Sequence, residues 1–289
     1  MKVPSNRLKT VRDYYAGLLV PLYDASEAAQ LVQLLIKHFF GFDKVNMALK
    51  PELRLNESEL LQLHFAVKEL LSNKPLQYVL GETEFYGRRF ITKAGALIPR
   101  PETEQLLDLI IDKEKSRNPL SILDIGTGSG CVAVSLALEF PEARVTAFDI
   151  SADALEVASE NAKLHEVEVD FIKADLLTEK RLYLGLQADL IVSNPPYVRL
   201  SEKALMHKNV TEWEPSLALF VPDDDPLLFY RALAQLAAEK LNAAGSIWVE
   251  INEAFAKEVM AIFVEYGLSN PQFFQDFHGK DRFVRAEKS

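Results

Sequence analysis

The chain has 289 residues, a formal net charge of −10, 48% hydrophobic residues and a single cysteine. This length allows two globular domains with buried cores, and one cysteine excludes an intramolecular disulfide framework. No apolar run approaches the roughly 20 residues that span a bilayer, and the acidic balance argues against a large nucleic-acid footprint. Because the N-terminus also shows no signal-peptide pattern, we expect a cytoplasmic protein with no membrane association and no stable nucleic-acid partner.

The first part of the chain, residues 1–75, shows the three- and four-residue apolar spacing of amphipathic helices. Its clearest helix opens at Asn56, where Glu59 completes a capping box, and ends before Pro75. The pattern predicts a small helical bundle that carries no catalytic motif. Residues 76–98 are rich in glycine and aromatic residues and are predicted to form a β-hairpin linker.

Residues 99–289 are predicted to form an α/β domain, because short apolar strands alternate with amphipathic helices. The strands are expected at 121–124, 144–149, 167–172, 189–193, 246–251 and near 273–277, and the helices at 131–140, 151–165, 227–241 and 255–266. Such alternation implies a mostly parallel sheet with helices on both faces. Ligands of these sheets bind at the carboxyl ends of the strands.

A glycine-rich loop follows the first of these strands. Gly126, Gly128 and Gly130 allow the backbone to turn tightly, and Asp149 ends the next strand, where a carboxylate can accept both ribose hydroxyls. A dinucleotide loop would need a third glycine where Cys131 stands, and a phosphate-binding loop would need Gly-Lys-Ser/Thr. A tight turn without a ligand is the third possibility. The neighbouring acids favour S-adenosylmethionine, because its sulfonium is a cation and it carries no phosphate.

A second motif, Asn194-Pro195-Pro196-Tyr197, follows another apolar strand. An amino group conjugated to a carbonyl or ring is a poor nucleophile, since its lone pair is delocalised. The Asn194 side-chain oxygen and the Pro195 carbonyl can accept its two hydrogens and aim the lone pair at a methyl donor. The prolines stiffen the backbone, and the Tyr197 ring offers a flat face to a planar substrate. The motif predicts methylation of a conjugated –NH2 group, and leaves open whether a nucleic-acid base or a glutamine carries it.

The chain resembles the release-factor glutamine methyltransferases, the PrmC/HemK family, over nearly its whole length. The motifs that carry this resemblance are Pro75–Tyr78, Gly81 with Phe85 and Gly87, Leu97–Glu104, the glycine loop, Asp149–Ser151, Asn194–Tyr197, Glu214-Pro215, Tyr230-Arg231 and Asp276–Gly279. The string Ile98–Glu104 is specific to this family, whereas its composition alone predicts a proline-stiffened loop. The resemblance implies a Rossmann-like class I methyltransferase sheet with a small N-terminal helical-bundle domain.

The resemblance also implies an enzyme that methylates the N5 nitrogen of the glutamine in the Gly-Gly-Gln motif of peptide chain release factors, with the helical domain docking the factor. By position, S-adenosylmethionine would be held by Gly126, Thr127, Gly128, Ser129, Gly130, Asp149, Asp175, Leu176 and Asn194. The glutamine would be held by Asn194, Pro195, Pro196 and Tyr197, with Phe85, Arg100 and Glu102 in the walls of its pocket. The alternatives are a nucleic-acid amino-methyltransferase and a non-catalytic, cofactor-binding protein of the ribosome.

Two further expectations concern the body of the enzyme. No metal is expected, because the histidines lack metal-ligand spacing, and the chain is expected to be a monomer. The segment Val221–Pro226 carries three consecutive aspartates where the family usually has a glycine-rich turn. We expect a solvated turn there that caps the next helix, with metal binding by the aspartates as the alternative, and assign it no catalytic role.

Overall fold

The computed structural model describes residues 3–50, 52–117, 120–179 and 185–289. The chain divides into two compact units, one formed by residues 1–81 with 208–213 and the other by 82–207 with 214–289. Among the described residues, no helix combines the length and the apolar character needed to cross a membrane.

The smaller unit is helical. Its helices are α1 (Leu8–Leu19), α2 (Ala25–Phe40), α3 (Lys44–Leu49), α4 (Glu57–Leu71), α5 (Leu76–Leu80) and the distant α9 (Lys208–Thr211). The predicted capping box is confirmed: the Asn56 side chain accepts from the Glu59 amide at 2.9 Å, and Glu59 accepts from the Asn56 amide at 2.7 Å. The helices enclose a core of aliphatic side chains and Tyr15.

The hairpin is shorter than the predicted linker at 76–98. Its strands are β1 (Glu82–Phe85) and β2 (Arg88–Ile91), paired antiparallel. Residues 76–80 instead form α5, whose apolar side chains pack against the helical core. A proline in front of a helix lacks only an N–H that would have no intrahelical partner, so Pro75 begins α5 as readily as it stops α4. The helical unit therefore extends to Gly81, beyond the expected boundary at residue 75.

The larger unit is built on a seven-stranded sheet in the order β10-β11-β9-β6-β3-β4-β5. Its parallel strands are β3 (Ser121–Ile125), β4 (Arg144–Asp149), β5 (Asp170–Lys173), β6 (Ala188–Ser193) and β9 (Leu241–Glu250). At one edge, β11 (Asp281–Lys288) runs antiparallel to both β9 and β10 (Leu268–Gln275). A two-stranded ladder of β7 (Val198–Arg199) and β8 (Phe220–Val221) is separate from this sheet.

Helices α6 (Pro101–Glu114), α7 (Cys131–Glu139), α8 (Ala152–Leu164), α10 (Leu228–Lys240) and α11 (Ala256–Glu265) complete the unit. The expected alternation is confirmed with small shifts at the ends, and β11 is an additional strand. The proline-stiffened loop predicted from composition is wrong beyond Arg100, because Pro101 begins α6. Proline suits the first helical position, and Glu102 and Glu104 in the first turn favour the helix dipole.

The carboxyl ends of the parallel strands meet at one edge of the sheet. Ile125 at the end of β3 lies opposite Phe148 of β4 and Ser193 of β6, and Ser193 lies opposite Val249 of β9. The chain places β4 and β5 on one side of β3 and returns to its other side with β6, which makes this a topological switch point. The residues that follow these strands therefore face a common crevice.

Candidate active site

A cavity of about 290 Å³ opens at this edge of the sheet, close to the lower end of the 300–1,000 Å³ of small-ligand sites. It is lined mainly by residues 95–100, 124–129, 148–151, 174–177 and 193–196, by parts of 215–218, and by Thr103. Apolar walls alternate with carboxylates, namely Ile125, Phe148, Ile150 and Leu176 beside Asp124, Asp149 and Asp175. This lining suits a partly apolar ligand that carries positive charge.

The glycines of the loop have two different roles. Gly126 and Gly128 line the cavity with φ of 76° and 56°, and a Cβ at either would meet no atom within 4 Å of it. Gly130 also has a positive φ, 78°, but its added Cβ would lie 2.8 Å from the Cβ of Ala158. Gly126 and Gly128 therefore leave room on the ligand side. Gly130 lies outside the lining and lets α7 pack closely against α8.

Two buried side chains support the loop from below. The Thr127 hydroxyl donates to Asp124 Oδ2 at 2.7 Å, and both residues line the cavity together with Ser129. Burial raises the pKa of Asp124 to about 7; the hydrogen bond from Thr127 lowers this pKa, and the charge of Asp149 raises it. Asp124 thus changes charge near neutral pH in the absence of a cation.

Asp149 joins the glycine loop to the start of α8. Its Oδ2 accepts from the Gly128 amide at 2.8 Å and its Oδ1 from the Ser151 amide at 2.9 Å. Burial raises the pKa of Asp149, and these backbone hydrogen bonds lower it. A carboxylate oxygen has two lone pairs, so both oxygens can accept a further hydrogen bond from a ligand in the cavity.

Asp175 and Leu176 also line the cavity, between β5 and the following turn. The carboxylate of Asp175 accepts from the Leu177 amide and from the Thr178 hydroxyl, each at 2.8 Å. Asp175 therefore shapes its own turn while it borders the cavity.

The acceptor motif meets the cavity through its first three residues. Asn194, Pro195 and Pro196 are part of the lining, whereas Tyr197 is not. The Tyr197 hydroxyl donates to Glu250 Oε1 at 2.9 Å, and its ring packs against the core. Burial raises the pKa of Tyr197 well above its usual value, and the charge of Glu250 raises it further. The flat face that the sequence suggested for the Tyr197 ring stays a prediction.

Of the residues expected in the wall of the substrate pocket, some line the cavity and others do not. Arg100 lines the cavity, and its guanidinium donates to Glu214 Oε1 at 2.6 Å, which ties the loop before α6 to a buried carboxylate. Phe85 is 1% exposed in the core, and Glu102 lies in the first turn of α6 outside the lining. Of these three side chains, the structure therefore brings only Arg100 to the cavity.

Two buried residues that the sequence analysis did not name as site residues, Thr103 and Glu250, are 3% and 1% exposed, and Thr103 also lines the cavity. The Thr103 hydroxyl donates to Glu250 Oε2 at 2.8 Å, and the Asn194 side-chain amide donates to Thr103 Oγ1 at 3.1 Å. Glu250 could have been noticed as a lone carboxylate at the end of an apolar strand. Thr103 lies in the family-specific string Ile98–Glu104, which is the signal that could have found it.

The aspartates after β8 do not cap the following helix, contrary to expectation. The N-cap of α10 is Leu227, which makes no side-chain capping bond. Asp223 instead accepts from the Ser201 amide at 3.0 Å and hydroxyl at 2.7 Å, and Asp225 pairs with Arg231. In the described ranges, these aspartates included, no group of three or more His, Cys, Asp or Glu side chains is placed to hold a metal ion.

Comparison with known proteins agrees with this architecture. Residues 102–213 match the Methyltransferase small domain, and residues 22–81 match the PrmC N-terminal domain. The 16S rRNA N2 G1207 methyltransferase of T. thermophilus, solved in complex with AdoMet and guanosine, has a TM-score of 0.52 and 16% identity, covering 72% of this chain and 50% of that chain. At this identity the similarity concerns the fold alone, and it confirms the class I methyltransferase fold.

Named relatives match nearly the whole chain. The Release factor glutamine methyltransferase of Flavobacterium psychrophilum is 42% identical over 282 residues, which cover 96% of this chain and 98% of the relative. The protein of the same description from Bacteroides thetaiotaomicron is 38% identical, covering 97% of this chain and all of the relative, 100%. At this identity and coverage, the chain belongs to the family of release factor glutamine methyltransferases, which use S-adenosylmethionine.

Proposed function

We propose that this enzyme transfers a methyl group from S-adenosylmethionine to the side-chain N5 of the glutamine in the Gly-Gly-Gln motif of peptide chain release factors. The observation that carries the proposal is that Asn194 and Pro195 line the same cavity as Gly126 and Gly128. A methyl donor on the glycine loop and an amide at the acceptor motif would therefore share one enclosed space. The names of the relatives support a release factor as the source of that amide.

The residues of the cavity fit S-adenosylmethionine. Asp149 would accept the ribose hydroxyls with its free lone pairs, Leu176 and the edge of Asp175 would border the adenine, and Asp124 would lie on the side of the positive charge. Gly126 and Gly128 would let the backbone lie against the cofactor. When bound, the cofactor supplies an electrophilic methyl group on a sulfonium.

The acceptor motif would activate the amide nitrogen without a strong base. Asn194 Oδ1 and the Pro195 carbonyl accept its two hydrogens, which favours a pyramidal nitrogen whose lone pair points at the methyl carbon. The ring of Pro195 fixes its φ and the following Pro196 restricts its ψ to extended values, so the direction of the buried Pro195 carbonyl is set before the substrate arrives. The nitrogen becomes cationic on transfer and then loses a proton readily, so proton removal follows the methyl step.

A labelled-methyl assay separates this function from its alternatives. Purified release factor, total RNA and DNA would be offered side by side, with a release factor whose Gly-Gly-Gln glutamine is changed to asparagine as the control. We expect label in the unmodified factor alone. Label in RNA or DNA would indicate a nucleic-acid amino-methyltransferase, and no incorporation would indicate a non-catalytic, cofactor-binding protein.

The same proposal covers partner and location. The helical unit would dock the release factor, and the enzyme would act in the cytoplasm as a monomer without a stable nucleic-acid partner or a metal. The net charge of −10 and the lone, buried thiol of Cys131 support these points. Light scattering coupled to size exclusion would test the oligomeric state, and a mass of two chains would contradict it.

A further inference from the structure

A chain of hydrogen bonds runs from Asn194 of the acceptor motif through Thr103, which also lines the cavity, to the buried Glu250. The Asn194 amide donates through Nδ2 to Thr103 Oγ1 at 3.1 Å, and the Thr103 hydroxyl donates to Glu250 Oε2 at 2.8 Å. The other oxygen of Glu250 accepts from the Tyr197 hydroxyl at 2.9 Å. One carboxylate thus holds a residue of α6 and the last residue of the motif.

With Glu250 ionised, the donors and acceptors in this chain can be arranged in one way. An ionised carboxylate only accepts, so the single hydrogen of the Thr103 hydroxyl must go to Glu250. The oxygen of Thr103 is then left with lone pairs alone, and the group that meets it must be a donor. Asn194 therefore turns its NH2 to Thr103, because the flipped amide would set two acceptors against each other. Its Oδ1 is the end left for a substrate.

The groups around Glu250 act on its pKa in opposite directions, with a raised pKa as the net result. Burial raises the pKa of Glu250, and this is opposed by the hydrogen bonds from Thr103 and Tyr197 and by the charge of Arg282. Arg282 is itself held by Asp276, to which its Nε donates at 3.1 Å, and by the Ile251 carbonyl at 3.3 Å. A neighbouring fixed cation and two hydroxyl donors are the groups that stabilise a buried carboxylate.

We propose that Thr103 and Glu250 are positioning residues that decide which end of the Asn194 carboxamide faces the substrate nitrogen. The inference rests on the proposed methylation of an amide. A flipped Asn194 would present its own N–H donors to the substrate –NH2 group, which also donates. Asn194 could then accept neither hydrogen of the substrate amide. The buried pair thus selects the productive orientation of Asn194 before the substrate binds, which removes the cost of selecting it during the reaction.

The test compares a variant that loses the Thr103 hydroxyl, a variant that keeps it, and a variant that loses a different buried hydroxyl. Thr103→Val removes the hydroxyl at nearly constant volume, and Thr103→Ser retains it. Ser246→Ala is the control for loss of a buried hydroxyl: Ser246 also donates to a buried carboxylate, that of Glu114 at 2.7 Å, but Ser246 and Glu114 lie outside the cavity lining that includes Thr103. We expect Thr103→Val to lower kcat about 10- to 100-fold at nearly unchanged cofactor Kd, and Thr103→Ser and Ser246→Ala to stay within about 3-fold of the wild type.

A readout besides activity is the side-chain amide of Asn194 in protein labelled with ¹⁵N-asparagine, assigned by its loss in Asn194→Asp. We expect its two proton resonances to shift in Thr103→Val and to keep their positions in Ser246→Ala. A Thr103→Val enzyme with wild-type kcat, or with unshifted Asn194 resonances, would overturn the inference. A wild-type chain that methylates no release factor would instead contradict the proposed function, and the resonances would still decide the positioning role.

Discussion

At the scale of single residues, Asp124 connects the charge of the cavity to pH. It is 2% exposed, and burial raises its pKa to about 7. A cationic ligand favours the ionised form, so the fraction of protein ready to bind S-adenosylmethionine rises as pH rises through this pKa. If only the ionised form binds, affinity increases up to about 10-fold between pH 6 and pH 8.

Asp124→Asn tests this dependence, because asparagine has nearly the same shape and no charge to lose. Calorimetric Kd values for S-adenosylmethionine would be measured at both pH values for the wild type and the variant. Titration of the ligand itself affects both proteins equally. The difference between the two proteins in how Kd changes with pH therefore reports the titration of Asp124. We expect a shallower slope in the variant, and parallel slopes would contradict the assignment.

The motif residues also show how far single positions can be predicted from sequence. Asn194 and Pro195 could be placed at a ligand site, because a polar residue after a buried parallel strand must lie at the carboxyl edge. The direction of the Tyr197 side chain could not be predicted, because its hydroxyl bonds to Glu250, which lies 53 positions away in the chain. Phe85 was assigned to the wall from its place in a motif, and its burial follows from hairpin packing that the motif does not encode.

At the scale of elements, the contact between α7 and α8 depends on Gly130. A side chain at this position would have both a φ of 78° and a Cβ 3.0 Å from the Ala158 backbone. We expect Gly130→Ala to lower the free energy of unfolding by about 2–4 kcal/mol, measured by urea denaturation. Gly267→Ala is the control, since Gly267 has a φ of 83° with no atom near its added Cβ, and we expect a loss of about 1 kcal/mol.

Equal losses in the two glycine variants would show that backbone conformation alone accounts for the effect, against a role for close helix packing. A larger loss in Gly130→Ala would show that Gly130 is needed for the packing of α7 against α8. Gly126 and Gly128 would then be the glycines of the loop that face the ligand.

Most elements were predictable because each has its own periodicity and caps, as Ser151 illustrates by accepting from the Ala154 amide at the start of α8. The elements that were missed have physical reasons. Helix α6 begins with a proline string that also suits a loop, and β11 at 281–288 carries charged residues that hide its alternation. Residues 76–80 form a helix too short for its period to be recognised.

At the scale of the whole molecule, the helical unit contains a segment from the middle of the chain. Residues 208–213 belong to it, and the Trp213 indole donates to the Ser72 carbonyl at 3.0 Å, with Lys74 Nζ 5.8 Å from the ring centroid. Sequence order assigns this segment to the methyltransferase domain. Only the folded chain shows that it packs with the N-terminal helices, because the contact joins positions 141 residues apart.

The most direct test of methyl transfer to a release factor glutamine combines peptide mapping with Asn194→Ala. After incubation with S-adenosylmethionine, tandem mass spectrometry of the release factor should place a single methyl group on the glutamine of Gly-Gly-Gln. The variant should bind the cofactor with a Kd within about 3-fold of the wild type and transfer the methyl at least about 100-fold more slowly, because one of the two hydrogen acceptors is gone. Near-normal transfer by Asn194→Ala, or a methyl group on any other residue, would contradict the account.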